Sequence, residues 1–166
     1  MLACQSASTD KNKDSRAGTL TTNEKASVFT LDHSYQFNDF KVDLYKGKLA
    51  DPDFRNNPFA SDTAYVQFIS ESCKKNAINF SGHYTIIHRS CGAECEHIFI
   101  VDRKTGRIFT DIHPNDGRYG YAYQPDSKLL IANSNLFIDN TFHKYLDYWC
   151  KPEFYQWEKT DFVLLK

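Results

Sequence analysis

The residues able to do chemistry gather between positions 83 and 97: His83, His88, Cys91, Cys95 and His97. Cysteine and histidine are zinc's usual ligands, and a Cys–His pair is also a nucleophile with its base. The spacing disfavours both uses. A set of His88, Cys91, Cys95 and His97 has the right ligand types, but Ser90-Cys91-Gly92-Ala93-Glu94-Cys95 lacks the Cys-x-x-Cys of common zinc knuckles. Its histidines would also have to converge across a turn. A Cys91 nucleophile with His83 as base needs a depressed thiol pKa. Glu94 and Glu96 would raise it, and Cys95 would trap the sulfur as a disulfide.

A local Cys91–Cys95 disulfide suits the spacing better, because Gly92 and Ala93 permit a tight turn. With Cys4 set apart, Cys73, Cys91, Cys95 and Cys150 form an even set with three connectivities. The favoured one adds Cys73–Cys150, a long bridge that contributes about 4 kcal/mol in the chain-entropy account. Such bridges imply an oxidising compartment, whereas four reduced core thiols would suit the cytosol. Met1-Leu2-Ala3-Cys4 looks like the end of a bacterial lipoprotein signal, with Cys4 the lipidated residue, although the charged and apolar regions of a signal peptide are missing. Membrane contact would then come only through that lipid anchor. No apolar run is long enough to span a bilayer.

His83 follows Gly82, which frees the backbone for a turn, and precedes Tyr84. The pair either lines a polar cleft and binds a ligand, or His83 merely orders the turn. Glu94 and Glu96 are the other binding candidates, as an acidic protrusion at the Cys91–Cys95 loop. Glu94, Asp102, Asp111 and Asp116 supply carboxylates, but scattered acids in turns are usually solvated surface rather than a glycosidase pair. Tyr145, Tyr148, Trp149, Phe154, Tyr155 and Trp157 suit a stacking platform or, more commonly, a β core. No phosphate-cradling Gly-rich loop, metalloprotease motif or serine-nucleophile motif is present, and no cofactor is implied.

The elements that must position these residues are legible from patterning. The chain has 166 residues, enough for one core, with 13 Phe and 10 Tyr against one Met, a balance that leans towards β structure. A net charge of -1 gives no general attraction to nucleic acid. Residues 1–27 are polar and form a flexible tether; 28–166 form a single domain. Phe40, Val42 and Leu44 alternate as a strand. Ser61 or Asp62 caps a helix over about 62–74, with Ala64, Tyr65, Phe68, Ile69 and Cys73 as its apolar stripe. From Asn79 the period becomes two. Tyr84, Ile86 and His88 share one strand face. Strands follow at His97 to Asp102, Arg107 to Ile112, Tyr119 to Tyr123 and Lys128 to Ala132. The last lie at Phe142 to Trp149, Phe154 to Trp157 and Phe162 to Leu165. The expectation is an α+β fold: one main helix with a mostly antiparallel curved sheet, or a small sandwich, of about six to eight strands.

Asn79-Phe80-Ser81-Gly82-His83-Tyr84, Cys91-Gly92-Ala93-Glu94-Cys95 and Asp102 with Thr105-Gly106 resemble a group of uncharacterised bacterial secreted or lipoprotein-like proteins. Their pattern is N-F-[AS]-G-H-Y … C-G-x-x-C … D-x-x-T-G, and the resemblance covers about residues 62–134. It implies a periplasmic or outer-membrane location, lipid-anchored, or else secretion, and it implies no activity. Ser81-Gly82-His83-Tyr84 is also one residue short of the S-G-x-x-Y of periplasmic lysozyme inhibitors, so no inhibitory residue transfers. The sequence reads more as a non-enzymatic module than as an enzyme. It would bind a protein of the cell envelope, such as a cell-wall-directed enzyme, as an inhibitor or immunity protein. A zinc-dependent or other hydrolase built on the His/Cys cluster is the alternative.

Overall fold

Tyr84, Thr85, Ile86 and Ile87 are all buried, with no alternation. A strand covered on both faces requires a layer on each side of its sheet. The computed structural model describes residues 29–30, 35–92, 95–110, 112, 119–138, 141–142 and 152–166. Among these, the α-helix is α1 (Thr63–Lys75). The strands are β1 (Phe29–Thr30), β2 (Tyr84–Gly92), β3 (Cys95–Asp102), β4 (Ile108–Phe109) and β5 (Tyr121–Tyr123). They continue with β6 (Leu129–Ala132), β7 (Phe137–Ile138), β8 (Thr141–Phe142), β9 (Glu153–Trp157) and β10 (Phe162–Leu164). One antiparallel sheet is β2-β3-β4 and a second has the order β10-β9-β6-β5; a third, made of two-residue strands, has the order β1-β8-β7.

Ile86 stands opposite Ile100, and Ile87 opposite Phe99. Side chains alternate along a strand, so Ile86, Ile98 and Ile100 face one way and Ile87, Phe99 and Val101 the other. The first set packs with Leu130, Ala132 and Trp157 of the second sheet. The second set packs with Tyr65, Ile69 and Cys73 of α1, which recur every fourth residue and so share one helix face. The molecule is therefore layered as helix, three-stranded sheet and four-stranded sheet. Each large apolar side chain enclosed this way contributes about 1.5–3 kcal/mol. The α+β class, the antiparallel pairing and the one main helix agree with expectation; the sheets are open, not one curved sheet.

Helix α1 starts where Asp62 accepts a hydrogen bond from the Tyr65 amide at 3.1 Å. It ends with Lys74 and Lys75 in the last turn. A buried cation then fastens that end to the sheet. The Arg103 guanidinium donates to the carbonyls of Cys73 (2.9 Å) and Asn76 (3.2 Å) and to Thr85 Oγ1 (3.4 Å). Its Nε donates to the Ala50 carbonyl at 3.1 Å. All four partners are neutral oxygens, and the Cys73 and Asn76 carbonyls stand at the negative end of the helix dipole, which suits a positive charge.

Several expectations change. Phe40 to Leu44 is not a strand. Phe37–Phe40 is a 3-10 turn, and the extended stretch after it bonds to two different segments, Val42 N to Asp126 O and Tyr45 N to Gly82 O. No single neighbour accompanies it long enough to form a ladder. The Arg107 to Ile112 strand shrinks to Ile108–Phe109. Cys73 is a free thiol, 4% exposed, so the Cys73–Cys150 bridge is not formed. The cause is helical phase: Cys73 lies on the apolar face with Tyr65 and Ile69, turned into the sheet. Burial pushes its thiol pKa up from 9.0 to about 11, with Asp51 adding to the rise and Arg103 opposing it. Cys150, Cys4, the 1–27 tract, Glu94, Asp111, Asp116, Tyr145, Tyr148 and Trp149 lie outside the described residues.

Candidate functional site

Strand β2 separates the candidates. His83 precedes its first residue and Cys91 lies next to its last. At about 3.3 Å per residue, eight steps carry the chain about 26 Å, so His83 cannot serve Cys91 as a base. Nor does the His88, Cys91, Cys95, His97 set assemble. His88 pairs with Ile98, and His97 with Arg89, one residue out of phase, so the two imidazoles occupy opposite faces of the hairpin. His88 meets the rings of Tyr121 and Tyr123, whereas His97 borders a groove with Tyr65 and Phe99 on the helix side. That separation rules out a single site holding both His88 and His97.

At the far end, β2 and β3 form an arm. Arg89, Ser90, Cys91 and Gly92 are exposed, beyond the buried first half of β2. Ser90 pairs with Glu96 and Gly92 with Cys95, which leaves Cys91 in a bulge. Cys91 is held in a disulfide. The Cys95 side chain is not among those described. Glu96 is not a free acidic tip. Its Oε1 lies 3.0 Å from His88 Nδ1, and His88 Nε2 lies 2.8 Å from the Tyr123 hydroxyl. This Glu96–His88–Tyr123 chain ties the arm to the second sheet. Burial and the Glu96 charge raise the Tyr123 phenol pKa, so the chain ends in a neutral hydroxyl rather than an activated one.

At the near end, the Asn79–Tyr84 segment is a corner whose residues have separate duties. The Asn79 side chain accepts from Ile86 N at 2.7 Å and donates to Ile86 O at 3.0 Å, covering the edge of β2 as a neighbouring strand would. Phe80 is fully buried between the sheets. Ser81 and Gly82 both have positive φ, 43° and 82°. Gly82 donates to Pro125 O at 2.7 Å and accepts from Tyr45 N at 2.8 Å, while the His83 carbonyl accepts from Arg103 N at 2.8 Å. A Cβ on Gly82 would come within 2.6 Å of the Asp43 carbonyl oxygen, so only glycine fits this crossing.

His83 and Tyr84 line one cleft of about 280 Å³ at this corner. Their rings lie 4.1 Å apart at 34°. Tyr84 is chiefly a core residue, packed on Trp157 and Phe109. Burial lowers the His83 pKa, Lys104 adds to the shift, and Asp102, 3.9 Å from Nε2, opposes it. The imidazole is thus held neutral at neutral pH.

Glu96 and His88 were singled out by residue type, but their link through Tyr123 joins positions 35 apart and leaves no sequence signal. Arg103 escaped notice, and Asn79 entered only as part of a motif, because a buried arginine and a strand-mimicking asparagine look like surface residues in a sequence. Searched against known protein families, curated proteins and solved structures, the chain has no match.

Proposed function

We propose that this chain is a non-enzymatic, protein-binding module of the bacterial cell envelope, periplasmic or lipid-anchored through Cys4, that docks through the β2–β3 arm. The observation that carries this reading is the arm itself: an exposed hairpin braced at its base by Glu96, His88 and Tyr123. An element ordered before contact loses little conformational freedom on binding, which favours affinity. A Cys91–Cys95 disulfide would close its tip; the bonded state of Cys91 and the backbone register of residues 92 and 95 support that pairing. The groove beside the arm, between Phe59 and Tyr65 on one side and His97 and Phe99 on the other, offers the partner aromatic surface next to polar groups. A cell-wall-directed enzyme, held in an inhibitor or immunity relationship, is the concrete version.

The test compares the wild-type chain with a variant in which residues 91–95 are replaced by Asn-Gly. Both are immobilised and challenged with envelope extract under non-reducing conditions. The expected result is a protein retained by the wild type, lost with the variant, whose cell-wall hydrolysis slows when the wild type is added. Retention of the same proteins by both chains, or of none, refutes the reading.

A further inference from the structure

Four connections meet around the corner cleft. They are the 81–83 turn, the β3–β4 turn, the β5–β6 turn and the β9–β10 turn, and with Val42 and Asp43 they enclose the 280 Å³ space. Three of them bring a lysine to it: Lys104, Lys128 and Lys159. Asp43 is the carboxylate on the lining. Among the described residues none of the three ammonium groups forms an ion pair; the nearby Asp126 is taken by Lys41, and Lys104 lies 5.3 Å from the Tyr45 ring centre.

Two further observations single out this place. Trp157 lines the cleft at 2% exposure, and its Nε1 is the one buried side-chain polar atom, among the described residues, without a hydrogen-bond partner. Burial raises the Tyr84 phenol pKa and the Trp157 indole beside its oxygen offsets part of that rise, yet the contact falls short of hydrogen-bond geometry and leaves Nε1 without an acceptor. An orphaned buried donor costs about 1–3 kcal/mol. Among the described residues, two of the three non-glycine residues with positive φ also line the cleft, Ser81 at 43° and Lys159 at 65°. Strain of this kind concentrates where side chains are held for a ligand.

We propose that this cleft binds a phosphoryl group. Its side chains are chiefly donors: three ammonium groups, the indole N–H, the Ser81 hydroxyl and a neutral imidazole. A tetrahedral dianion with acceptors on all sides matches three lysine point charges converging from separate turns, set against the single carboxylate of Asp43 on the lining. The tilted His83–Tyr84 ring pair leaves an apolar wall for the organic part of a phosphate ester. The site stands apart from the β2–β3 arm and holds whether or not that arm docks a protein.

The test follows the Trp157 indole N–H resonance of the full chain, assigned with a Trp149→Phe variant. The chain is titrated with inorganic phosphate, with glucose 6-phosphate, and with sodium acetate and sodium chloride at matched ionic strength. The expected result is a saturable shift with phosphate or the ester and none with acetate or chloride. Tighter binding of the ester assigns the site to an esterified ligand, and equal binding to free phosphate. Lys128→Gln and Lys159→Gln should each weaken binding about ten-fold, as loss of one charge-assisted contact does. Lys159→Gly, which relieves the positive φ, guards against misfolding. No saturable shift, an equal shift with acetate or chloride, or unchanged affinity in the lysine variants overturns the proposal.

Discussion

Replacing Arg103 with methionine should unfasten α1 from the sheet. Arg103 is 5% exposed and bonds to the carbonyls of Ala50, Cys73 and Asn76 and to Thr85 Oγ1, at 2.9 to 3.4 Å. Methionine keeps much of the volume and removes every donor. A buried acceptor deprived of its donor costs about 1–3 kcal/mol, and the cation's own desolvation penalty is recovered in part. Asn76 is exposed and Ala50 half-buried, so water replaces some of what is lost there. The net expectation is a loss of about 2–4 kcal/mol, a large share of the roughly 5–15 kcal/mol that holds a typical domain together. For a chain of this size that lowers Tm by about 4–16 °C. Arg103→Lys keeps the charge but cannot reach all four oxygens, and should fall between wild type and Arg103→Met. Urea unfolding followed by far-UV circular dichroism measures the midpoint and slope. An Arg103→Met midpoint equal to the wild type's, with unchanged slope, would show that the guanidinium does not hold the helix end.

Further outcomes are expected. The Cys73 thiol should resist alkylation in the native state at neutral pH and react at the rate of unfolding, as measured by a timed thiol assay; rapid native labelling contradicts its placement. Its folded pKa lies above 9.0, at about 11, so its contribution to stability is complete below pH 9.0 and disappears as pH rises towards 11; a Cys73→Ser variant should show a weaker decline over that window in urea titrations. Gly82→Ala forces a Cβ to 2.6 Å from the Asp43 carbonyl at a φ of 82°, and should cost about 1–3 kcal/mol or prevent folding; a stabilised variant would show that the corner relaxes freely. The His83 imidazole should titrate below 6.5 by NMR. The unfolded chain then binds the proton more readily, so this group's contribution is present above pH 6.5 and fades as pH falls through the folded pKa. Lys104, Asp102, Lys128, Lys159 and Asp43 are the charges around it, and a midpoint above 6.5 would mean that the carboxylates outweigh burial.

The helix was legible because its signals are local: Asp62 caps it, and Tyr65, Ile69 and Cys73 recur at helical spacing. Strand pairs joined by short turns were legible for the same reason, as with β3 and β4 across Thr105-Gly106. The Phe40 to Leu44 stretch misled because alternation promises a strand only where one neighbour runs alongside it, and here Lys41 makes a single bridge, to Ser127. Cysteine counting misled at Cys73 because parity says nothing of which way a helix turns its sulfur.

Residue types and short-range periods thus settled the α+β class, the antiparallel pairing and the corner at Ser81-Gly82-His83-Tyr84. Tertiary structure alone decided that His83 and Cys91 lie at opposite ends of one strand, that His88 and His97 face apart, and that three lysines line one cleft with Trp157. The physical reason is range. Capping, turn geometry and side-chain alternation act over a few residues and are written consecutively in the chain, whereas convergence of positions 43, 83, 104, 128 and 159 depends on how the two sheets pack, which no local pattern encodes.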